Sequence, residues 1–247
     1  MTQTAVRKLS ITRVRQQGRD IRSFDMRPVA GGGSGGGNRT RRVSFVPGQV
    51  AVLRAAAGAE KGRPSYFAFA SAPADPELEF LIKHAGGDTS RHQPLLYDLR
   101  AGDEVELVEI VGHGFAIDAQ RGRDLVFIAM GTGVAPLRSA LRHALGRPDD
   151  FGQIFVLYGA RTPEDFCYRD ETESWQAAGV ELRQVISKPD GSEWAGSTGY
   201  VQSLLDSVMP SLSDPVTFVC GSREMIEHTR DRLQQMGLEP ERVLTNY

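Results

Sequence analysis

Gly131, Thr132 and Gly133 end an apolar run, LVFIAM at 125–130, and Pro136 follows three residues later. Beyond them Leu137, Leu141 and Leu145 recur at helical spacing. A strand end that turns into a helix leaves backbone N–H groups free, and with the helix dipole they favour an anion such as pyrophosphate. Glycines let such a ligand approach the backbone closely. Pro136 suits the first turn of a helix, where its missing N–H costs nothing. The plain alternative is a tight strand–helix turn with no ligand. Pro136 also occupies the third position of the fingerprint G-x-G-x-x-G/A, so the ordinary form of that motif does not fit.

Two similar signals lie further on. The segment 216–233, VTFVCGSREMIEHTRDRL, again reads strand, Cys-Gly, helix, and puts Cys220 at the same rim as Gly131. A small core residue is the blander reading of Cys220. In 156–171, VLYGARTPEDFCYRDE, a strand end is followed by Gly-Ala-Arg-Thr.

These turns need a frame. From about residue 123 strands and helices alternate: DLVFIAM and APLRSALRHAL, QIFVLYGA and PEDFCYRDETESWQAAG, VELRQVIS and GYVQSLLDSVM, PVTFVCG and REMIEHTRDRLQQMG. That pattern predicts a parallel α/β sheet with ligands beyond the carboxyl ends of its strands. Residues 1 to about 115 read instead as short strands and turns: KLSITRV, RRVSFV, QVAVLRA, SYFAFAS, LEFLIK and DEVELVEIV. They predict an antiparallel barrel or sandwich, interrupted by one helix after the glycines of AGGDTSRHQPLLYDL at 85–99. The expected division is 1–118 and 124–247.

Bulk properties narrow the function. The 247 residues are 40% hydrophobic and 24% charged, enough for real cores in an ordinary soluble protein. A net charge of -2 gives no basic excess for nucleic acid or an anionic membrane. Two cysteines cannot build a disulfide framework and are too few for a cysteine-ligated iron–sulfur cluster. The first residues, MTQTAVRKLSITRVRQQ, lack the apolar core of a leader, and no run approaches the roughly 18–20 apolar residues of a membrane span. A cytoplasmic protein is expected. The run AGGGSGGGN at 30–38 contains a literal G-x-S-x-G, but a nucleophile elbow needs a strand before it and a helix after it; a mobile hairpin loop is the better reading. The five histidines show no metal-binding spacing.

The ordered set G-T-G-x-x-P (131–136), L-Y-G-A-R-T-P-E-D (157–165), W-x-G-x-x-G-Y-V (194–201) and C-G-x-x-x-M (220–225) resembles the ferredoxin–NADP reductase superfamily. Its members join a flavin-binding barrel to an NAD(P)-binding α/β domain. FVPGQ (45–49), ASAP (70–73) and LRAGDEVEL (99–107) resemble the barrel half, and the likeness covers about residues 43–247. EFLIKHAGG (79–87) and EIVGHGF (109–115) look similar to a branch that includes plant FAD/NAD(P)-binding oxidoreductases.

The resemblance implies roles. Gly131, Thr132, Gly133 and Pro136 would bind the pyridine nucleotide, with Cys220, Gly221 and Met225 near its nicotinamide. Gly87, Thr89 and Ser90 would cradle the flavin phosphate, with Lys83 close by, and Tyr247 would stack on the flavin. Cys220 and Tyr247 are thus the expected catalytic positions. The stretch Ser65, Phe67, Ala68, Phe69, Ala70, Ser71 matches the flavin strand, but with a departure. Where the superfamily has R-x-Y-S, this chain has Ser65, Phe67 and Ala68: the arginine and the hydroxyl are gone, and Phe67 is left to stack. Arg63 and Tyr66 would replace them only through a bulge. The flavin is FAD, FMN or absent. Arg161, Ser187 and Lys188 follow strand ends where the adenosine ribose would lie, and Lys188 suits a 2′-phosphate; NADH and NADPH both remain open. The expected activity is hydride uptake from NAD(P)H by a flavin, with electrons passed to ferredoxin or another carrier. The competing reading is a flavin-free nucleotide-binding or partner-regulating protein that retains the fold.

Overall fold

The computed structural model describes residues 6–29, 42–56, 64–84, 94–189, 191 and 193–246. The glycine-rich run 30–38, Arg63, Gly87, Thr89, Ser90 and Tyr247 lie outside the described residues.

The first half is an antiparallel barrel. Its strands are β1 (Arg7–Gly18), β2 (Ile21–Pro28), β3 (Val50–Ala55), β4 (Ser65–Ala68) and β5 (Leu78–Lys83); a short helix α1 (Pro94–Tyr97) precedes β6 (Glu104–Val111). Their order is β4-β3-β6-β1-β2-β5, and a bridge between Phe69 and Phe80 ties the two edges together. Phe24, Phe67, Phe69 and Phe80 fill the interior, and Phe45 stacks on Phe69 at 3.9 Å between centroids.

The second half runs β7 (Asp124–Met130), α2 (Val134–Leu145), β8 (Ile154–Ala160), α3 (Thr172–Ala177), β9 (Val180–Ile186), β10 (Ser197–Thr198), α4 (Leu205–Val208), β11 (Pro215–Cys220), α5 (Arg223–Gln235) and β12 (Val243–Leu244). Its strands form one parallel sheet in the order β10-β9-β8-β7-β11-β12. Central β7 is apolar from Leu125 to Met130 because both faces are covered. Leu125, Phe127 and Ala129 pack with α2, while Val126 and Ile128 pack with α4 and α5 on the other side. Ile21, Ala70 and Leu81 of the barrel join the α2-side core, so apolar packing is continuous between the two halves.

Three expectations change. The described part of RRVSFV, residues 42–46, forms no strand, although Val43 and Phe45 are buried. β2 was hidden by its charges; Asp25 is buried because Arg13 and Arg15 reach it at 2.7 and 2.9 Å. The helix expected over PEDFCYRDETESWQAAG is a 3₁₀ turn at Pro163–Asp165, a second at Arg169–Glu171 and only then α3. Tyr168, at φ 58°, breaks it, and its N–H bonds Gln17 of β1 at 2.8 Å.

Candidate functional site at the carboxyl edge of the parallel sheet

One cleft of about 1110 Å³ opens between the barrel and the carboxyl ends of β7, β8, β9 and β11. It brings together Gly131, Thr132, Gly133 and Pro136 with Arg161, Ser187, Lys188, Cys220, Gly221 and Met225 from the sheet, and Phe67, Ala68 and Lys83 from the barrel. Lys83 also pairs with Asp20 at 3.6 Å. Ser65, Phe69, Ala70 and Ser71 are not brought there. Phe69 faces the barrel core, and the carbonyls of Ala70 and Ser71 are engaged by α2.

The two glycines of the turn have different reasons. Gly131 takes φ +55°, a left-handed conformation, with open space where a Cβ would point. Gly133 is a matter of close approach: a Cβ there would overlap the Cys220 carbonyl and sit 2.7 Å from its carbon and 3.0 Å from Gly221 N. The strand end of β11 therefore abuts the start of α2. Behind the turn, the Tyr158 hydroxyl donates to the Gly131 carbonyl at 3.0 Å and accepts from the Cys167 N–H at 3.2 Å. Burial pushes the Tyr158 hydroxyl well above its ordinary pKa, so it stays a donor.

Burial also pushes the Cys220 thiol up to about 12. At neutral pH it is an uncharged, weakly polar wall of the cleft rather than a nucleophile.

The cleft is also lined by Tyr66, which the sequence reading admitted only through a bulge, and by Tyr200 and Asn246, to which it gave no role. Phe67 is buried in the barrel core; it is its neighbour Tyr66, 67% exposed, that presents an aromatic ring. The period-2 alternation of Phe67 and Phe69 inward with Tyr66 and Ala68 outward was the available signal. At the far end Tyr200 is 73% exposed beside Ser187 and Lys188. Asn246 lines the cleft as well; its side-chain N–H donates to the Gly48 carbonyl of the barrel at 3.0 Å, a pairing no local pattern announces.

Comparison with known proteins agrees with this geometry. The oxidoreductase NAD-binding domain family matches residues 127–231. A fruit protein of Actinidia deliciosa is 33% identical over 193 residues, 74% of this chain and 59% of its own length. Ferredoxin–NADP reductase B of Sorangium cellulosum is 32% identical over 174 residues, 67% of this chain and 69% of its own. Among solved structures, a ferredoxin–NADP⁺ reductase from Neisseria gonorrhoeae with bound FAD and NADP superposes with a TM-score of 0.78 at 18% identity, covering 98% of each chain. The chain thus spans about three fifths of the fruit protein and two thirds of the Sorangium reductase. With the antiparallel barrel, the parallel sheet and the glycine turn at its edge, this likeness shows that the chain belongs to the ferredoxin–NADP reductase superfamily.

Proposed function

We propose that the chain is a flavin-dependent NAD(P)H oxidoreductase that passes electrons to an external acceptor such as ferredoxin or another one-electron carrier. One observation carries the reading: a single cleft holds an exposed barrel tyrosine on one wall and a glycine turn at a helix start on the other. A large aromatic face with no protein cover fits a planar ring, and Tyr66 meets that test for the flavin. The open backbone at Gly131 meets it for a pyrophosphate. The site residues divide between barrel and sheet as 1–118 and 124–247, the two halves taking one cofactor each.

The chain's own residues then act as follows. The N–H groups at Gly131–Gly133 and the start of α2 hold the nucleotide phosphates. Arg161, Ser187 and Lys188 receive the adenosine ribose, and the exposed Tyr200 covers the adenine. The cation of Lys188 beside Ser187 favours NADPH. Cys220, Gly221 and Met225 form a floor that keeps water from the nicotinamide. Tyr66 and Ala68 would face the flavin ring. A bound flavin supplies the conversion of a two-electron donor into one-electron output.

The visible spectrum of purified protein, with and without FAD and FMN, tests this. Bands at about 370 and 450 nm that bleach with NADPH are expected, since the cofactor carries the redox chemistry. Protein that stays colourless after reconstitution overturns the reading. It would favour the flavin-free regulator, which is supported by Ala68 standing where the superfamily has a serine. Turnover with ferredoxin, cytochrome c and ferricyanide then separates the acceptors.

A further inference from the structure

The helix that starts at the glycine turn is also the one that grips the barrel. Arg138, Ser139 and Arg142 of α2 lie at i, i+1 and i+4, on one face. The Ser139 hydroxyl donates to the Ser71 carbonyl at 2.6 Å. Arg138 donates to the Ala70 carbonyl at 2.7 Å and to Glu79 at 2.9 Å. Arg142 makes a forked pair with Asp75 at 2.9 and 3.0 Å. All but Glu79 belong to the segment 70–75, which continues from β4, the strand whose Tyr66 and Ala68 line the cleft.

That segment is itself held. The Ala70 N–H donates to the Glu79 carbonyl at 2.8 Å, the Glu79 N–H to the Ser71 hydroxyl at 3.0 Å, and the Ala72 N–H to Asp75 at 2.8 Å. Arg138 is 4% exposed, and Glu171 grips its other edge at 2.9 Å, so water cannot stand in for the barrel acceptors. The lever arms are short. Gly133 to Arg138 is five helical residues, about 7.5 Å. Ala68 to Ala70 is two strand residues, about 7 Å. The apolar contact of Ala70 and Leu81 with the α2-side core resists separation but not sliding, because apolar burial is non-directional. Hydrogen bonds to carbonyls have a direction and so fix register.

We propose that the Arg138–Ser139–Arg142 face of α2 is a positioning device: it sets the separation of the two cofactor walls and transmits nucleotide binding at the glycine turn to β4. The inference rests on the nucleotide site proposed above.

The test uses the full chain with Ser139→Ala and Arg142→Gln combined. Arg138 stays, because its loss would leave buried Glu79 with Arg15 as its remaining cation and take the guanidinium from Glu171. Amide hydrogen exchange is followed on flavin-free protein with and without NADP⁺. In the parent, NADP⁺ slows exchange at 131–135 and also at 65–75. In the variant the first slowing persists and the second is lost. In FAD-loaded protein the rate of flavin bleaching at saturating NADPH falls about 10–100-fold while the NADP⁺ dissociation constant stays within about twofold, as expected for misplacement by an ångström or so. If the double variant does not fold, Ser139→Ala alone carries the same readings. Slowing at 65–75 that persists in the variant, with bleaching unchanged, overturns this inference alone. A parent in which NADP⁺ slows nothing at 131–135 overturns the proposed nucleotide site along with it.

Discussion

The Tyr158 hydroxyl is hydrogen-bonded to the Gly131 carbonyl at 3.0 Å, so the glycine turn is held from behind by the neighbouring strand. The same oxygen takes the Cys167 N–H at 3.2 Å, which links the turn to the segment that crosses toward the barrel. Tyr158→Phe removes both bonds and leaves two buried backbone groups unpaired. We expect a loss of about 1–3 kcal/mol in denaturant unfolding and a several-fold weaker NADP⁺ titration. Unchanged nucleotide affinity would mean that the turn keeps its shape unaided.

The two glycines of the turn should fail differently. Gly131→Ala meets open space and only a left-handed backbone, a cost of about 1–2 kcal/mol. Gly133→Ala meets the Cys220 carbonyl, a fixed backbone group, and must push β11 away from α2. Its thermal midpoint should drop clearly further, by about 2–4 °C for each additional kcal/mol. Equal midpoints for the two variants would contradict the close approach of β11 and α2.

Tyr66 and Phe67 are neighbours with opposite duties. Tyr66→Ser should leave thermal stability nearly unchanged and weaken FAD retention, read as flavin lost on gel filtration. Phe67→Ala should instead cost about 3–5 kcal/mol by emptying part of the barrel core. A Tyr66→Ser protein that keeps its flavin would shift the stacking role elsewhere.

Lys188 is the position where the two nucleotides would be told apart. Lys188→Ala should raise KM for NADPH about tenfold and leave that for NADH within about twofold, because only the former carries a 2′-phosphate. An equal change in both would make Lys188 an ordinary surface charge.

The cysteines predict a base-labile fold. Burial raises Cys220 to about 12 and Cys167 to about 11, against an ordinary 9.0. The folded state favours the protonated thiols, so their contribution is complete below pH 9 and is lost as pH rises from 9 toward 11 and 12. Thermal midpoints taken between pH 8 and 11 should fall, and the fall should be shallower in Cys220→Ala. Iodoacetamide at neutral pH should leave Cys167 unlabelled until denaturant is added; its rapid native labelling would contradict the burial.

What could be read from residues alone follows from how local the physics is. β7 was legible because burial on both faces demands six apolar residues in a row, and its glycine turn because a strand-to-helix exit has few solutions. β2 was not, because Asp25 looks like a turn residue until Arg13 and Arg15 are placed across from it. The helix written into 163–179 was broken by Tyr168, whose N–H is taken by Gln17, 151 residues away. In the cleft, the sheet residues announced themselves through their spacing. Tyr66 needed the strand's pleat, and Asn246 needed the barrel carbonyl it meets.

That meeting of Asn246 with Gly48 has a practical side. The polypeptide passes from the barrel to the sheet between 111 and 124 and comes back at 246, so the two halves are stitched at both ends of the second one. Asn246→Ala would cut the later of these two stitches, at the cleft wall, and leave the earlier one in place.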